Sequence, residues 1–422
     1  MLKETTPSGP LNATISVPGS KSITNRALIC ASLAKGESCI RNWSDSDDTA
    51  LMMNGLNQLG ILVRRSHDGL VVHGRGGELY PPKFPIPVGN AGTTLRFLIA
   101  AASLAKGRVV FEGSDRIAER PITDLLDSLN RLGVRTEFTP GIARFQVEGG
   151  TLAGGSVRLR GDKSSQFLSS LLMVAPLAAG ELEIIVEGPL ISASYVDMTL
   201  DVMGNFGVTA ERKEEGKAFF VRSGQRYRPA DYTVEADASS ATYAFAAAAI
   251  AGGKVHVRGI RADSRQGDIG FLGILREMGC RVEATGTEVS VEGNRSPGGV
   301  DCDMNVMPDA VPTLAAVALF ARTKSRIRNV AHLRYKESDR LEMLATELRK
   351  LGAVIVVYED GLEIEPVPLK GTRLDPHDDH RLAMSFALIG LRVSGIQIEN
   401  PGCVKKSFPT FWEEYQKMSA QQ

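Results

Sequence analysis

The run RYKESDRLEML, residues 334–344, carries the residue types needed for acid–base chemistry on an anion. Lys336, Glu337 and Arg340 place opposite charges within two helical turns. The ordinary explanation for such spacing is a solvent-facing ladder of ion pairs. Asp309, in MPDAVP, is the one charged residue of an otherwise apolar helix start, and it is therefore either a helix cap or a base.

A second group of candidates lies at the predicted starts of helices. PGSKSITNRA (18–27) puts Lys21 and Ser22 at a helix start, with Arg26 about one turn later. Free backbone N–H groups and the helix dipole attract anions there. The glycine spacing of a GxxxxGK[ST] phosphate loop is absent, so this is not a P-loop. Simple capping by Ser22 and a solvated Lys21 remain the plain alternative.

Three further runs have the same character. GNAGTTLR (89–96) offers clustered backbone N–H groups beside Arg96, and GDKSSQF (161–167) clusters hydroxyl and amide donors that suit a phosphorylated polyol. VKKSFPTFW (404–412) adds Lys406 before a helix. Capping and turn formation would also explain each run taken alone. A GxGxxG fingerprint is absent, so a dinucleotide cofactor is not expected.

The run HDDHRLAM (377–384) contains residue types that bind metals. His377, Asp378, Asp379 and His380 all lie at one predicted helix opening. They lack cysteine partners and the HExxH spacing of zinc enzymes. We therefore expect no metal site here.

The elements that carry these runs repeat along the chain. A helix-like apolar stretch that ends in a bulky apolar residue and glycine, followed by a β-branched strand, occurs five times, at spacings of 73, 74, 72 and 73 residues. The residue just after a helix often needs positive φ, which glycine adopts without strain. The repeated glycines are Gly60, Gly133, Gly207, Gly279 and Gly352.

A second repeat, out of phase with the first, supplies the helix openings. Small and polar residues open an Ala/Leu-rich helix six times, at a pitch of about 70 residues. The six stretches are 19–36, 89–107, 162–180, 237–253, 308–324 and 378–395. The last helix of the sixth copy is expected at Pro409–Met418, with the N-terminal LNATISVPG as its strand partner.

Each copy predicts a βαβαββ unit with one buried helix, because a helix that is apolar all round is buried. Six such helices with sheets outside them make an inverted α/β fold of two lobes, with three units per lobe. A linear solenoid of α/β units is the alternative, although the copies are long and lack capping repeats. The three-plus-three split predicts one lobe at residues 21–235 and a second formed by 1–20 with 236–422.

Composition limits the classes of function. The 49 Lys and Arg residues balance the 49 Asp and Glu residues, which argues against nucleic acid or an anionic membrane as a partner. The chain lacks a charge-free apolar stretch of about 18 residues and a leader pattern, so neither a membrane span nor a signal peptide is expected. The five scattered cysteines, never in CxxC, predict reduced thiols and a cytoplasmic protein.

Taken together and in order, these runs resemble the enolpyruvyl transferase family, in the branch that acts on shikimate 3-phosphate. The resemblance spans essentially the whole chain. The matching runs are PGSKSITNRA, GNAGTTLR, ERPI, the SSQ of GDKSSQF, SASYVD, DASSA, MPDA, KESDRL, DDHRLAM and KKSFPTF.

The resemblance implies a two-lobed inverted α/β barrel with the active site in the cleft between the lobes. The implied reaction moves the enolpyruvyl group of phosphoenolpyruvate to the 5-hydroxyl of shikimate 3-phosphate and releases phosphate, through a tetrahedral adduct. It belongs to the shikimate pathway of aromatic amino acid biosynthesis. No metal or organic cofactor is implied.

The resemblance also implies which residues bind each substrate. Those for shikimate 3-phosphate are Lys21, Ser22, Arg26, Ser164, Ser165, Gln166, Ser192, Tyr195, Asp309, His332 and Lys336. Those for phosphoenolpyruvate are Lys21, Asn90, Gly92, Arg120, Gln166, Arg340, Arg381 and Lys406. The cations among them suit two substrates that together carry two phosphates and two carboxylates.

Three residues take catalytic roles by the same resemblance. Glu337 would protonate the methylene carbon of phosphoenolpyruvate, because the flanking substrate anions favour its acid form. Asp309 would accept the proton of the 5-hydroxyl as it attacks, with Lys21 assisting.

Two positions depart from the family pattern. Phe97 follows Arg96 where the family commonly has proline, and His332 stands where some relatives have asparagine. Glyphosate occupies the phosphoenolpyruvate subsite in this family. We therefore expect glyphosate to compete with phosphoenolpyruvate here, but to inhibit less strongly than it inhibits Phe97→Pro.

Two other functions fit the same implied fold. Sister enzymes that act on UDP-N-acetylglucosamine usually carry Lys-Asn at the first motif and a cysteine on the loop before Arg-Pro, whereas this chain has Lys21-Ser22 and GSDRIAERP (113–121). A non-catalytic binding protein would be expected to lose Glu337 or Asp309. A monomer is expected, since a two-lobed enzyme of this size needs no partner chain to complete its site.

Overall fold

The computed structural model describes residues 2–139 and 141–419. The chain divides into two compact units, here called the continuous unit (Gly19–Val234) and the discontinuous unit (Met1–Pro18 with Glu235–Gln422). The repeat pattern alone put the two crossings near residues 20 and 235. Each unit holds three copies of the repeat.

Two strands of the discontinuous unit come first in the chain, β1 (Leu2–Thr5) and β2 (Leu11–Ile15). The strands of the continuous unit are β3 (Lys35–Arg41), β4 (Leu62–Ser66), β5 (Gly69–Arg75), β6 (Ile86–Gly89), β7 (Arg108–Gly113), β8 (Arg135–Phe138), β9 (Arg144–Glu148), β10 (Gly155–Arg160), β11 (Leu182–Glu187), β12 (Glu211–Lys213), β13 (Ala218–Val221) and β14 (Asp231–Thr233). Its helices are α1 (Lys21–Leu33), α2 (Asp47–Gln58), α3 (Gly92–Ala102), α4 (Asp115–Glu119), α5 (Thr123–Arg131), α6 (Ser165–Val174) and α7 (Ser194–Asn205).

The strands of the continuous unit form four-stranded sheets of one design. In the second repeat the order is β6-β7-β9-β8, in which β6 and β7 are parallel and the other neighbours antiparallel. The third repeat has the order β10-β11-β13-β12. The first sheet, β14-β3-β5-β4, takes its leading strand from the far end of the unit, where Tyr232 pairs with Ile40. The unit is thereby closed on itself.

The discontinuous unit resumes after the continuous one. Its remaining strands are β15 (Gly253–Arg258), β16 (Arg281–Thr285), β17 (Glu288–Gly293), β18 (Asp301–Asp303), β19 (Ser325–Arg328), β20 (Val354–Tyr358), β21 (Gly361–Glu365), β22 (Arg373–Leu374) and β23 (Ile396–Glu399). Its helices are α8 (Ala238–Ala251), α9 (Phe271–Glu277), α10 (Val311–Ala318), α11 (Arg340–Lys350), α12 (His380–Ile389) and α13 (Phe411–Ser419). The sheet orders are β16-β17-β15-β2, β18-β19-β21-β20 and β1-β23-β22.

One expectation about the N-terminus is wrong. The stretch 11–19 was expected to supply the strand of the sixth copy, but β2 pairs in parallel with β15 of the fourth, with Ala13 opposite Val255. The shorter β1 completes the sixth copy, antiparallel to β23. The predicted contact of the C-terminal helix with this stretch is nevertheless confirmed, since α13 packs against β2, which buries every second residue in the core.

The glycine repeat marks helix ends, as predicted. Helices α2, α5, α7, α9 and α11 each stop two residues before a repeated glycine. All five glycines have positive φ, which would strain a residue with a Cβ atom. The values are +90° at Gly60, +84° at Gly133, +83° at Gly207, +95° at Gly279 and +92° at Gly352.

The Ala/Leu-rich helices lie inside and the sheets lie outside, which confirms the inverted α/β prediction. Every residue of α8 is buried, whereas β2 alternates between buried and exposed residues. Helices α8, α10 and α12 contact one another in all three combinations. The first and last members of a linear solenoid do not touch, so the solenoid alternative is wrong. Within the described ranges, every helix is too short or too polar to cross a membrane.

Candidate active site

The residues predicted to bind substrate divide between the two units. The continuous unit carries Lys21, Ser22, Arg26, Asn90, Gly92, Arg120, Ser164, Ser165, Gln166, Ser192 and Tyr195. The discontinuous unit carries Asp309, His332, Lys336, Glu337, Arg340, Arg381 and Lys406.

Lys21 is the first residue of α1 and forms a buried ion pair. Its Nζ lies 2.9 Å from Oδ2 of Asp48, in the first turn of α2, and the two side chains are 13% and 5% exposed. The backbone carbonyl of Asp48 accepts a hydrogen bond from Thr94 of α3 at 3.0 Å. The ion pair therefore ties the starts of three helices together.

Arg26 is 1% exposed and joins three helices of the continuous unit. Its guanidinium donates to Thr199 Oγ1 (2.7 Å), to the carbonyls of Ser22 (2.8 Å) and Tyr195 (3.1 Å), and to Ser169 Oγ (3.3 Å). The guanidinium also packs over the ring of Phe97, whose centroid lies 5.1 Å from the guanidinium carbon. Burial lowers the pKa of Arg26 to about 10, so the side chain remains a cation at neutral pH.

The start of α3 brings two arginines against one glycine. Arg96 donates to Gln166 Oε1 at 2.8 Å and to the carbonyl of Pro121 at 2.7 Å. Arg120, 5% exposed, donates to the carbonyl of Asn90 at 3.2 Å. A Cβ atom at Gly92 would lie 2.8 Å from both guanidinium groups, so a larger residue would displace them.

Helices α6 and α7 supply the polyol-binding candidates. Ser164 caps α6 by accepting from the backbone N–H of Gln166 at 3.3 Å, and the Gln166 amide donates to Thr93 at 3.0 Å. Ser165 and Ser192 are buried. Ser192 has φ +51°, an unusual conformation for a non-glycine residue.

In the discontinuous unit, Asp309 is held by two arginines. It lies on the 3₁₀ turn Pro308–Ala310, just before α10. Its Oδ1 accepts from Arg340 at 2.8 Å and its Oδ2 accepts from Arg381 at 2.7 Å. Burial alone would raise its pKa, but the charges of Arg381, Arg340 and Lys336 outweigh burial and hold the pKa of Asp309 well below its ordinary value. Asp309 is therefore a carboxylate at neutral pH.

Arg340 is the centre of this network and is 1% exposed. Besides Asp309, it donates to Glu337 Oε2 at 2.8 Å and to Asp379 Oδ2 at 2.7 Å. Burial lowers the pKa of Arg340, but Asp379, Glu337 and Asp309 together raise it above its ordinary value. Asp379 is fully buried and caps α12 at Arg381 N, so the same carboxylate fixes the helix that carries Arg381. The solvent-facing ladder considered for residues 334–344 is wrong for Arg340 and Glu337.

Three other predicted residues lie on neighbouring turns. His332 is buried on the turn Ala331–Tyr335, and Lys336 directly follows it. Burial and the charge of Lys336 lower the pKa of His332 to about 3, so its imidazole is neutral at physiological pH. Lys406 ends the turn Pro401–Lys406, which packs against α12.

Two of the residues just described were missed as site residues. Asp48, which pairs with Lys21, stands in SDSDDTA, where an acid at a helix start looks like an ordinary cap. Asp379 was weighed only as a metal ligand. Neither carboxylate could be assigned to its cation from spacing, because 27 residues separate the first pair and 39 the second.

The side chains of the run HDDHRLAM contact different partners. His377 lies 3.0 Å from Glu347 Oε1, and Asp379 is bound to Arg340. Over residues 2–139 and 141–419, no three His, Cys, Asp or Glu side chains are grouped so that they could hold a metal ion.

The fold and these helix openings define the class of the protein. The structure is similar to EPSP synthase from Acinetobacter baumannii, with a TM-score of 0.82 and 26% identity over 99% of this chain and 98% of that one. It has the same fold as the enolpyruvyl transferase NikO from Streptomyces tendae, with a TM-score of 0.79 and 20% identity over 99% and 97% of the two chains. The architecture is therefore that of an enolpyruvyl transferase.

Sequence comparison narrows the class. Residues 5–415 match the family model of EPSP synthase (3-phosphoshikimate 1-carboxyvinyltransferase). The chain is 46% identical to the 3-phosphoshikimate 1-carboxyvinyltransferase of Syntrophobacter fumaroxidans over the full length of both, and 42% identical to that of Trichormus variabilis over 98% and 97% of the two chains. The chain belongs to the EPSP synthase family. It is an enzyme of the shikimate pathway that transfers the enolpyruvyl group of phosphoenolpyruvate to shikimate 3-phosphate.

Proposed function

We propose that the residues described above on both units serve this one reaction, with the roles that the motif matches imply. The continuous unit would bind most of shikimate 3-phosphate, and Asp309, His332 and Lys336 would complete its site. Phosphoenolpyruvate would be bound by Arg340, Arg381 and Lys406, together with residues of the continuous unit. The latter are Lys21, Asn90, Gly92, Arg120 and Gln166.

The polar partners of the continuous unit suit an anion-binding role. Arg26 donates to hydroxyl and carbonyl oxygens, which orient the guanidinium but do not neutralise its charge. The remaining charge supports binding of a carboxylate or phosphate. Ser164 and Gln166 lie at the start of α6, where helix dipole and hydroxyl groups favour a phosphate.

The observation that carries the catalytic proposal is that Arg340 holds Asp309 and Glu337 through two of its nitrogens, at 2.8 Å each. Asp309 is ionised, as a proton acceptor for the 5-hydroxyl must be. The two arginines make it a weak base. Phosphoenolpyruvate bound to Arg340 and Arg381 would draw their charge away, and Asp309 would then become more basic.

Glu337, in the acid form that the flanking substrate anions favour, would deliver its proton to the methylene carbon of phosphoenolpyruvate. Its carboxyl side chain is 10% exposed, so it is partly shielded from water yet reachable from one side. Addition of the 5-hydroxyl to the adjacent carbon would give the tetrahedral adduct. Loss of a proton from the new methyl group back to Glu337, with departure of phosphate from the adjacent carbon, would then restore the double bond.

Two substitutions, one in each unit, test which substrate each unit binds. We expect Arg381→Met to raise KM for phosphoenolpyruvate by at least ~10-fold, and Arg26→Met to raise KM for shikimate 3-phosphate by a similar factor, since each loses charge-assisted hydrogen bonds. Each variant should change the other KM by less than about 3-fold. Circular dichroism and melting curves control for folding. The reverse pattern, or phosphate release with UDP-N-acetylglucosamine as acceptor, would overturn the assignment.

The same proposal extends to inhibitor binding, oligomeric state and cellular compartment. Glyphosate would compete with phosphoenolpyruvate for Lys21, Arg120, Arg340, Arg381 and Lys406.

The enzyme would act as a cytoplasmic monomer; the five free cysteines suit a reducing compartment. Light scattering coupled to gel filtration measures the assembly, and a dimer mass would contradict it.

A further inference from the structure

The roles above leave one buried carboxyl group of the discontinuous unit unexplained. Asp268 lies on the 3₁₀ turn Gly267–Gly270 and is 5% exposed. Its Oδ2 accepts from Ser239 Oγ at 2.5 Å, but its buried Oδ1 has no hydrogen-bond partner among the described residues. A carboxylate offers about four lone-pair positions, so a single hydrogen bond leaves the ionised form poorly stabilised.

This turn packs directly against functional elements. It contacts α8, α9 and the turn Pro308–Ala310 that carries Asp309. The titratable and charged groups on the surrounding elements are Asp237 and Tyr243 at α8, Arg276 and Glu277 on α9, Asp309, and Asp379, His380 and Arg381 at α12. Arg276 and Glu277 are exposed. Asp309 and Arg381 are therefore the charges that dominate around Asp268, with Asp237 as a weaker third.

These surroundings place Asp268 near its titration midpoint at neutral pH. Burial, followed by the charge of Asp309, raises its pKa to about 7, while Arg381 and the bond from Ser239 act in the opposite direction. Below pH 7 the group is mainly a neutral acid. Above pH 7 it becomes a second carboxylate next to the turn whose Asp309 is bound to Arg381.

We propose that Asp268 is a positioning residue for phosphoenolpyruvate binding: as a neutral acid it leaves the charge of Arg381 to the substrate, and as a carboxylate it competes for that charge. The inference rests on the assignment of Arg381 to phosphoenolpyruvate under the proposed function. An anion bound to Arg381 favours the protonated form of Asp268. By linkage, affinity for the anion must fall as pH rises through 7.

The test measures KM for phosphoenolpyruvate between pH 6 and 9, at saturating shikimate 3-phosphate. Asp268→Asn keeps an oxygen for Ser239 and cannot ionise. We expect the wild-type KM to rise about 10-fold more than the KM of this variant over that range, the scale of two charges several ångströms apart in a partly buried site. Ionisation of the substrate phosphate is common to both proteins and cancels. The exposed Asp301→Asn, a matched loss of one carboxylate, should follow the wild type.

A second substitution keeps the test decisive if Asp268→Asn folds poorly. Ser239→Ala removes the hydrogen bond that stabilises the ionised form of Asp268. We expect it to move the midpoint of the KM profile to higher pH. An unmoved or lowered midpoint would overturn the inference.

Melting curves check that Asp268 titrates in the folded protein. The folded pKa lies above the unfolded one, so wild-type stability from this group falls as pH rises from about 4 to about 7 and is level above. Asp268→Asn should therefore melt above wild type at pH 8, and the gap should close as pH approaches 4.

The outcomes separate this inference from the site assignment. If Arg381→Met leaves KM for phosphoenolpyruvate unchanged, the assignment itself fails. If Arg381→Met raises KM but Asp268→Asn keeps the wild-type pH profile, only the role of Asp268 is refuted.

Discussion

The buried arginines at the candidate site have different hydrogen-bond partners in the two units. In the continuous unit, Arg26 and Arg96 donate to hydroxyl, amide and carbonyl oxygens. In the discontinuous unit, Arg340 and Arg381 donate to carboxylates, and Arg340 alone contacts three of them. Neutral partners orient a cation and leave its charge to a ligand, whereas carboxylate partners add groups that can exchange protons. This difference supports the proposed roles, in which the arginines of the continuous unit bind anions and the carboxylate partners of Arg340 take part in acid–base chemistry.

The largest effect should come from breaking the carboxylate network. Asp309→Ala removes the proposed base and leaves two buried arginines without their shared partner, so turnover should fall by at least ~100-fold. Initial rates of phosphate release measure this, with the exposed Asp301→Asn as control. Turnover within a few-fold of wild type would remove Asp309 from the mechanism.

A smaller effect is expected at Phe97, which is fully buried in α3 beneath Arg26. Phe97→Pro should bind glyphosate more tightly than wild type, with inhibition competitive with phosphoenolpyruvate in both. Proline also removes a backbone N–H inside the helix, so Phe97→Leu is the matched control: it removes the ring but keeps that bond.

Inhibition constants for the three proteins decide the point. Equal or weaker inhibition of Phe97→Pro contradicts the prediction that Phe97 weakens glyphosate binding, and a pattern not competitive with phosphoenolpyruvate contradicts the shared subsite.

The smallest effect should be a pH slope at His332. Its folded pKa of about 3 lies below the ordinary value of 6.5, so the stability it contributes is present above pH 6.5 and is lost as pH falls toward 3. His332→Asn should remove that slope and keep KM for shikimate 3-phosphate within about 3-fold, because an amide also donates a neutral hydrogen bond. Melting temperatures at pH 5 and 7.5 measure the difference, and equal slopes in both proteins would contradict it.

Local patterns explain how much of the fold was predictable. Glycine recurs after α2, α5, α7, α9 and α11 because the backbone there has positive φ, which glycine adopts without strain. The apolar helices are predictable because a helix that is apolar all round has to be buried. Local sequence could not show whether β1 or β2 belongs to the sheet of the sixth copy. It depends on which sheet, hundreds of residues away along the chain, offers a free edge.

The cations of the candidate site and the carboxylates Asp309 and Glu337 were predictable, but the carboxylates Asp48 and Asp379 were not. Lys21, Arg26, Arg340 and Arg381 stand in distinctive runs at helix openings. Acids at such positions have an ordinary use as caps, and Asp379 is indeed a cap as well as a partner of Arg340. What distinguishes it is tertiary contact, which no spacing along the chain records.

We propose that Glu337, held by Arg340, is the acid of the reaction and not a substrate anchor. The most direct measurement is the turnover of Glu337→Gln together with its affinity for shikimate 3-phosphate by calorimetry. The amide keeps an acceptor for Arg340 but cannot supply an acidic proton. We expect turnover to fall by at least ~100-fold while affinity stays within about 3-fold of wild type. Near-normal turnover would contradict this role of Glu337 and would mean that another residue donates the proton.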